Sequence, residues 1–92
     1  MKFDWDDKKA NLNLKKHKVS FEEASTVFFD PLAKLAVDPD HSDIENRMIL
    51  IGHSHSSNLL FVVHLYKESE EIIRIISARK ATKKEKKDYS QI

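Results

Sequence analysis

Two segments in the second half of the chain, 59–66 and 72–79, have the pattern of buried β-strands. Both are apolar at successive positions near their middles, so an extended backbone would present apolar side chains on both faces. A third apolar segment, 48–51, is separated from 59–66 by Gly52 and a polar turn rich in serine. Short connections favour antiparallel pairing. Helices or a partner chain must therefore cover both sides of the predicted sheet.

Three helix-start signals flank these strands. Asp6 precedes a polar segment, 7–17, whose few apolar side chains recur at helical spacing. Ser20 and Glu23 form a capping box, in which the serine hydroxyl accepts from the third helical amide and the glutamate reaches back to the serine amide. Thr82 and Glu85 repeat this pattern before the last segment. The sequence therefore predicts two N-terminal helices and one C-terminal helix.

The order of these elements predicts a single α+β domain over residues 1–92. Its sheet is expected to be antiparallel with about four strands, and its C-terminal helix is basic. Residues 2–5 and 32–37 are weaker strand candidates, the first as an edge strand.

Composition excludes several classes of protein. The chain has 92 residues, of which 40% are apolar, and it contains no cysteine. Disulfide frameworks, thiolate metal sites and cysteine nucleophiles are therefore ruled out. The longest uninterrupted apolar run, 59–63, is far shorter than the roughly 20 residues that span a bilayer. The N-terminal residues lack the apolar pattern of a signal segment. We expect a cytoplasmic domain without membrane contact.

The nearly neutral net charge of +1 hides two regions of opposite sign. Residues 20–46 carry seven acidic side chains and one lysine, whereas 79–87 carry six basic side chains and one glutamate. This polarity indicates either an anionic partner for the basic end or a fold that brings the two regions together. A lysine-rich helix is also common on ordinary soluble proteins, so the charge pattern leaves both interpretations open.

Arg74 interrupts the apolar segment 72–76, and a buried arginine needs an acceptor. That acceptor could be Glu45 on a neighbouring strand or the phosphate of a ligand. Strict alternation places Glu45 and Arg47 on one face of the first long strand and Arg79 on the opposite face of its strand from Arg74.

The residues with chemical ability suit metal-independent cleavage of RNA. The 2′-hydroxyl attacks its own phosphodiester in such a reaction, which needs a base, cations to stabilise charge on phosphorus and a proton donor for the leaving oxygen. Guanidinium groups suit phosphate because they bind it in a fork. The same residues could merely hold a nucleic acid or an acidic protein. They are Glu45, Arg47, His64, Arg74, Arg79, Lys80 and the lysines of the last helix.

Other sites receive little support. His53 and His55 are two residues apart, a spacing that can suit a metal, but no cysteine or carboxylate accompanies them. No glycine-rich phosphate loop is present, because the chain contains one glycine. We therefore predict neither a metal nor a cofactor.

The sequence resembles BrnT-type toxins over nearly its whole length, in one register. The opening contains Trp5-Asp6, Asn13-Leu14, Lys16-His17 and Val19-Ser20-Phe21-Glu22-Glu23-Ala24, and the middle contains Asp30-Pro31, His41-Ser42, Glu45, Arg47 and Gly52. The most specific part is the C-terminal segment, which reads Ile73-Arg74-Ile75-Ile76-Ser77-Ala78-Arg79-Lys80-Ala81-Thr82 and is followed by Glu85 and Tyr89.

This resemblance implies a RelE-like fold and the toxin of a type II toxin–antitoxin pair, which inhibits translation by cutting RNA. It implies a BrnA-type ribbon-helix-helix antitoxin in a 2:2 complex, with operator DNA bound only through the antitoxin. Arg47, Arg74 and Arg79 would then contact phosphate, and Glu45 or His64 would handle the proton. The RNA-binding lysines would be Lys80, Lys83, Lys84 and Lys87. The alternative is a non-catalytic module that binds the antitoxin and tunes operon repression.

The sequence departs from the family pattern at three places. Lys18 stands where a glycine usually follows Lys-His, and Ser57-Asn58 replace a common Gly-Arg in the turn before the second long strand. The last helix has lysines where arginines are frequent, which keeps charge but loses forked hydrogen bonds. Asn13 and His17 are interpreted as capping and packing groups at the end of the first helix.

Overall fold

The computed structural model describes residues 1–39, 46–67, 69 and 71–90. The elements are β1 (Lys2–Asp4), α1 (Asp7–His17), α2 (Phe21–Thr26), a 3₁₀ turn (Val27–Phe29), β2 (Lys34–Val37), β3 (Met48–His53), β4 (Leu59–Lys67), β5 (Ile72–Lys80) and α3 (Lys83–Ser90). Helices α1 and α2 and the 3₁₀ turn thus lie between the first and second strands, and α3 closes the described chain. Along the sheet the strand order is β1-β5-β4-β3-β2.

Within the described residues, the predicted α+β class and three helices are confirmed, whereas the expected antiparallel sheet of about four strands is wrong in two respects. The sheet described there has five strands, and it is mixed because β1 runs parallel to β5. Both weak strand candidates are strands. Phe3 lies opposite Ile73 in this parallel pair, so β1 is fixed by a partner that is distant in sequence. None of the helices in the described part of the chain is long and apolar enough to cross a bilayer.

Helices α1 and α2 pack on one face of the sheet, which we call the inner face. The Ser20 hydroxyl accepts from the Glu23 amide at 3.0 Å and so begins α2, which confirms half of the predicted capping box. The Glu23 carboxylate instead accepts from the side chains of Ser54 and Asn58, at 2.7 and 2.8 Å. This helix buries Phe21 and Ala24. The inner-face core consists of Val19, Phe21, Ala24, Val27, Leu50, Leu60, Val62, Ile75 and Ala78.

The end of α1 adopts the left-handed conformation that glycine favours. Lys18 has φ of 61°, and its amide donates to the Leu14 carbonyl at 2.9 Å. Lys18→Gly should therefore raise the free energy of unfolding by about 1 kcal/mol, because a Cβ strains this conformation. Urea denaturation would measure the change. Lys15→Gly, within the same helix, is the control and should lower stability by about 1 kcal/mol; two destabilised variants would contradict the prediction.

A β-bulge in β5 changes which side chains share a face. Val63 of β4 lies opposite Ser77, but the next residue, His64, lies opposite Ile75, so Ile76 is an extra residue. Accordingly Ile75 and Ala78, three positions apart, are both buried on the inner face. Strict alternation is therefore wrong for Arg79: the bulge places it on the same outer face as Arg74.

Helix α3 lies against the other side of the sheet, the outer face. A row of register partners crosses this face from Lys34 through Ile51 and Phe61 to Arg79. Both ends of the row contact α3: Arg79 binds Glu85, and the Lys34 ammonium donates to the Asp88 carbonyl at 2.6 Å. The helix thus covers one end of the outer face, and the remainder carries half-buried apolar side chains.

Candidate functional site

Arg74 and Arg79 mark the two ends of the uncovered part of the outer face. Their partners on β4, Leu65 and Phe61, are four residues apart, so the two arginine backbones are separated by roughly 13 Å. Between them lie half-buried Val63 and its register partner Ser77. A bulge and a parallel edge strand therefore build a surface with a guanidinium at each end.

Arg79 is held in a fixed position. Its guanidinium lies over the Phe61 ring, 4.0 Å from the centroid, and forms a fork with Glu85 at 2.8 and 2.9 Å. The hydrogen bonds to Glu85 raise the pKa of Arg79, and the same bonds lower the pKa of Glu85. Glu85 also accepts from the Thr82 amide at 2.9 Å, completing the predicted capping box. The first turn of α3 therefore orients Arg79.

Arg74 is paired more loosely, at the edge of the sheet. Its Nη1 donates to the Asp4 carboxylate at 3.3 Å, and the Lys67 ammonium contacts the same carboxylate at 3.2 Å. All three side chains are about one-third exposed, and exposed ion pairs contribute roughly 0–1 kcal/mol. An incoming phosphate could therefore exchange with Asp4 at small cost. The acceptor that the sequence required for Arg74 is thus Asp4, on β1.

The remaining predicted site residues are dispersed. Arg47 comes directly before β3, and its carbonyl accepts from the Asp38 amide at 2.9 Å. Glu45 lies outside the described residues. His64 is fully buried on the inner face, between the rings of Phe28 and Tyr66. The predicted RNA-binding lysines are all exposed, at the end of β5 and on α3: Lys80, Lys83, Lys84 and Lys87.

Burial has a clear chemical effect on His64. It lowers the pKa of this histidine from 6.5 to about 4, which the hydrogen bond between Nδ1 and the Val62 carbonyl at 3.2 Å opposes only in part. Its Nε2 has no hydrogen-bond partner among the residues that the structure describes. The structure therefore places this imidazole in the core, on the other side of the sheet from the arginines.

A second polar cluster, which the sequence did not indicate, joins the end of β3 to α3. Asp30 follows the 3₁₀ turn, and its carboxylate accepts from the Tyr89 hydroxyl and the His53 amide, both at 2.8 Å, and from the Leu32 amide at 2.9 Å. Burial opposes ionisation of Asp30, but these hydrogen bonds outweigh it and lower its pKa. Burial and the bond to Asp30 raise the pKa of Tyr89 to about 12.

The cluster borders a pocket of about 490 Å³ between α3 and the turn that joins β3 to β4. The pocket is basic, because two lysines line it and its lining among the described residues includes no carboxylate. Asp30 and Tyr89 both belong to the segments that resemble BrnT-type toxins, but they are 59 positions apart in the chain. No sequence signal joins them to His53. The lining of the pocket includes His53, Ser57, Asn58, Lys80, Lys86 and Tyr89.

Comparison with known proteins identifies the class. A family model described as the ribonuclease toxin, BrnT, of a type II toxin–antitoxin system matches residues 5–85. The crystal structure of the ribonuclease toxin BrnT from Brucella abortus is similar, with a TM-score of 0.67 and 26% sequence identity. That match covers 90% of this chain and 99% of the Brucella chain. A comparison with curated protein sequences finds no match.

The described fold and these matches define a ribonuclease toxin of the type II toxin–antitoxin class. Within that class, the chain belongs to the BrnT family.

Proposed function

We propose that this toxin is an endoribonuclease that inhibits translation by cleaving RNA without a metal ion. The attacking group would be the 2′-hydroxyl adjacent to the scissile phosphate. The observation that carries the proposal is the pair of arginines that the β5 bulge places on one sheet face, beside a lysine-rich helix. Guanidinium groups held in place can stabilise the extra negative charge that forms on phosphorus.

Each predicted site residue receives a role in this reaction. Arg79, supported by Phe61, would bind the scissile phosphate, and Arg74 would bind a neighbouring one, since roughly 13 Å separates their backbones. Arg47 remains a third phosphate ligand in this proposal. The lysines of α3 would attract the RNA backbone, so binding should weaken as salt rises. Glu45 remains a candidate base, whereas His64 would first have to leave the core.

The partner would be a BrnA-type ribbon-helix-helix antitoxin in a 2:2 complex, which binds operator DNA and neutralises the toxin in the cytoplasm. The type II family supports an antitoxin partner. Exposed apolar side chains on the edge strand β2, Leu35 and Val37, further support a protein contact. The overall architecture is consistent with the RelE-like group of toxins.

A non-catalytic antitoxin-binding module is the second candidate, and one observation favours it. Both arginines already have carboxylate partners, Glu85 for Arg79 and Asp4 for Arg74. If these pairs persist in solution with RNA present, phosphate would have no free guanidinium to bind. The two candidates differ in whether RNA competes with the carboxylates.

RNA cleavage separates the two candidates. Purified protein is mixed with bacterial total RNA in EDTA, and new 5′ ends are mapped and quantified. We expect cleavage by the unaltered protein and a loss of about 100-fold in Arg79→Ala, because a positioned donor to the charged transition state typically contributes that much. Arg79→Lys should recover only part of this activity, since lysine keeps the charge but not the fork.

The control is Lys8→Ala, at an exposed position of α1 on the other side of the sheet. Its cleavage rate should equal that of the unaltered protein, and circular dichroism should show the same fold for every variant. Intact RNA and normal growth of expressing cells, together with antitoxin binding, would instead support the non-catalytic module.

A further inference from the structure

His53 occupies a wall of the basic pocket between α3 and the β3–β4 turn. It is the last residue of β3, and its side chain is 49% exposed. Lys80 and Lys86 line the same pocket, and the amide side chain of Asn58 lies nearby. The pocket therefore combines two ammonium groups, which attract phosphate, with an accessible imidazole.

Hydrogen bonds determine which nitrogen of His53 carries the proton. The Tyr89 hydroxyl donates its hydrogen to Asp30 Oδ2 at 2.8 Å, so the tyrosine oxygen is left as an acceptor. His53 Nδ1 lies 3.3 Å from that oxygen and is therefore the protonated nitrogen. It follows that Nε2 carries the free lone pair. The chain from Asp30 through Tyr89 to His53 thus orients a basic nitrogen, as a buried carboxylate does in other acid–base sites.

The orientation is reinforced from the backbone. The His53 amide donates to the same Asp30 oxygen that accepts from Tyr89, and the rings of His53 and Tyr89 meet edge to face with centroids 5.3 Å apart. Asp30 is itself held by a third donor, the Leu32 amide. The backbone and the ring of His53 are thus both positioned by one fixed carboxylate.

We propose that Nε2 of His53 is the general base for RNA cleavage and that the pocket holds the ribose of the nucleotide that is cut and the phosphate on its 5′ side, while Arg79 binds the scissile phosphate. This assignment rests on the proposed endoribonuclease function. The 2′-oxygen forms a bond to phosphorus while its proton passes to Nε2, and the bond from phosphorus to the 5′-oxygen breaks. The departing 5′-oxygen takes a proton from water, so a 2′,3′-cyclic phosphate and a 5′-hydroxyl result. The imidazolium then returns its proton to solvent.

The charges around His53 fit this role. Asp30 faces it from the segment after the 3₁₀ turn, and Nδ1 lies 3.9 Å from its carboxylate, which stabilises the imidazolium that forms. Tyr89 and Lys86 face it from α3, and Lys80 faces the pocket from β5. A bound phosphodiester carries one negative charge, which together with the charge of Asp30 offsets the charges of the two lysines. The base can then accept a proton without net repulsion.

Cleavage by His53→Gln tests the assignment. Rates are measured at the strongest cut site in a bacterial translation extract, where both free and ribosome-bound RNA are present, at several pH values between 5 and 8. We expect a loss of 100-fold or more and the disappearance of the acidic limb of the rate–pH curve, since general-base catalysis contributes 10²–10⁴-fold. The matched control, His55→Gln, changes an exposed histidine that does not line the pocket, and it should retain full activity.

Tyr89→Phe tests the positioning role of the hydroxyl. It should shift the nitrogen resonances of the His53 ring away from the Nδ1-protonated tautomer and should alter the rate–pH curve, effects that a loss of packing alone would not produce. A 2′-O-methyl RNA hexamer, which cannot be cleaved by this route, should perturb the His53 ring resonances and leave those of His55 unchanged.

The outcomes separate the two proposals. An active unaltered protein whose His53→Gln variant keeps both its rate and its acidic limb overturns the role of His53 and leaves the nuclease proposal standing. An unaltered protein that cuts no RNA overturns both. A hexamer that perturbs neither histidine overturns the assignment of the pocket.

Discussion

Asn13→Ala is expected to lower the free energy of unfolding by about 3 kcal/mol. This is a large effect for a single polar residue, and it arises because Asn13 is buried. The Asn13 amide donates to the Val19 carbonyl at 3.0 Å and to the Ala78 carbonyl at 2.8 Å, and it accepts from the Ala78 amide at 3.1 Å. Each lost hydrogen bond contributes about 1 kcal/mol, and the backbone groups left behind are buried. Urea denaturation measures the loss.

The reason lies in the edge of the sheet. Strand β1 pairs with β5 only as far as Arg74, so beyond that point no strand of the described residues neighbours the edge of β5. Asn13 supplies one donor and one acceptor to Ala78 there and thus replaces a peptide group of the missing strand. Few side chains can do this, because only an amide presents both functions in this geometry.

Two variants check that interpretation. Asn11→Ala changes an exposed asparagine of the same helix and should raise stability by a few tenths of a kcal/mol, through helix propensity alone. Asn13→Asp keeps the shape but removes the donors, so it should be destabilised as much as Asn13→Ala. An Asn13→Ala variant as stable as Asn11→Ala would show that the hydrogen bonds of Asn13 contribute nothing to the free energy of unfolding.

Local signals in the sequence predicted the elements of this fold well. Asp6, Ser20 and Thr82 begin helices where their capping patterns place them. The three long strands occur where apolar segments predicted them, within one or two residues at the ends. These features depend on hydrogen bonds and burial within a few residues, so a single sequence suffices to find them.

The arrangement of the elements was less accessible. Apolar side chains on both faces of 72–76 make the pattern the same with or without a bulge, so the sequence could not reveal that Arg74 and Arg79 share a face. The parallel pairing of β1 depends on Ile73, about seventy residues away. The second polar cluster likewise requires Asp30, His53 and Tyr89, which come from three separate parts of the chain. Each is a non-local contact, for which one sequence carries no periodic signal.

The other large effect concerns acid stability and His64. Its pKa is about 4 in the folded protein, below the ordinary value of 6.5, because burial disfavours the charged imidazolium. Protons therefore bind the unfolded chain first as pH falls through 6.5. The stability present above that pH is lost during acidification, by about 2 kcal/mol between pH 7 and pH 4.5. Denaturation midpoints measured across this range would show the decline.

Carboxylates lose their stabilising effect at lower pH than His64 does. Hydrogen bonds and ion pairs lower the pKa values of Glu23, Asp30 and Glu85 below their ordinary values of 4.5, 3.8 and 4.5, so their stabilisation is present above those values and is lost below about pH 4.5. Loss of stability between pH 7 and about pH 5, above most of the carboxylate titration, is therefore assigned mainly to histidine.

His64→Leu isolates this contribution. Leucine removes both the titrating group and the unpaired Nε2, while an apolar side chain still packs between Phe28 and Tyr66. We expect stability at pH 7 to be unchanged or higher by about 1 kcal/mol, since an unsatisfied buried nitrogen is costly. Between pH 7 and about pH 5 the variant should lose little stability, whereas His55→Gln should decline like the unaltered protein. A decline of equal size in His64→Leu would mean that the core imidazole is not what limits the fold in acid, and that protonation acts at the surface instead.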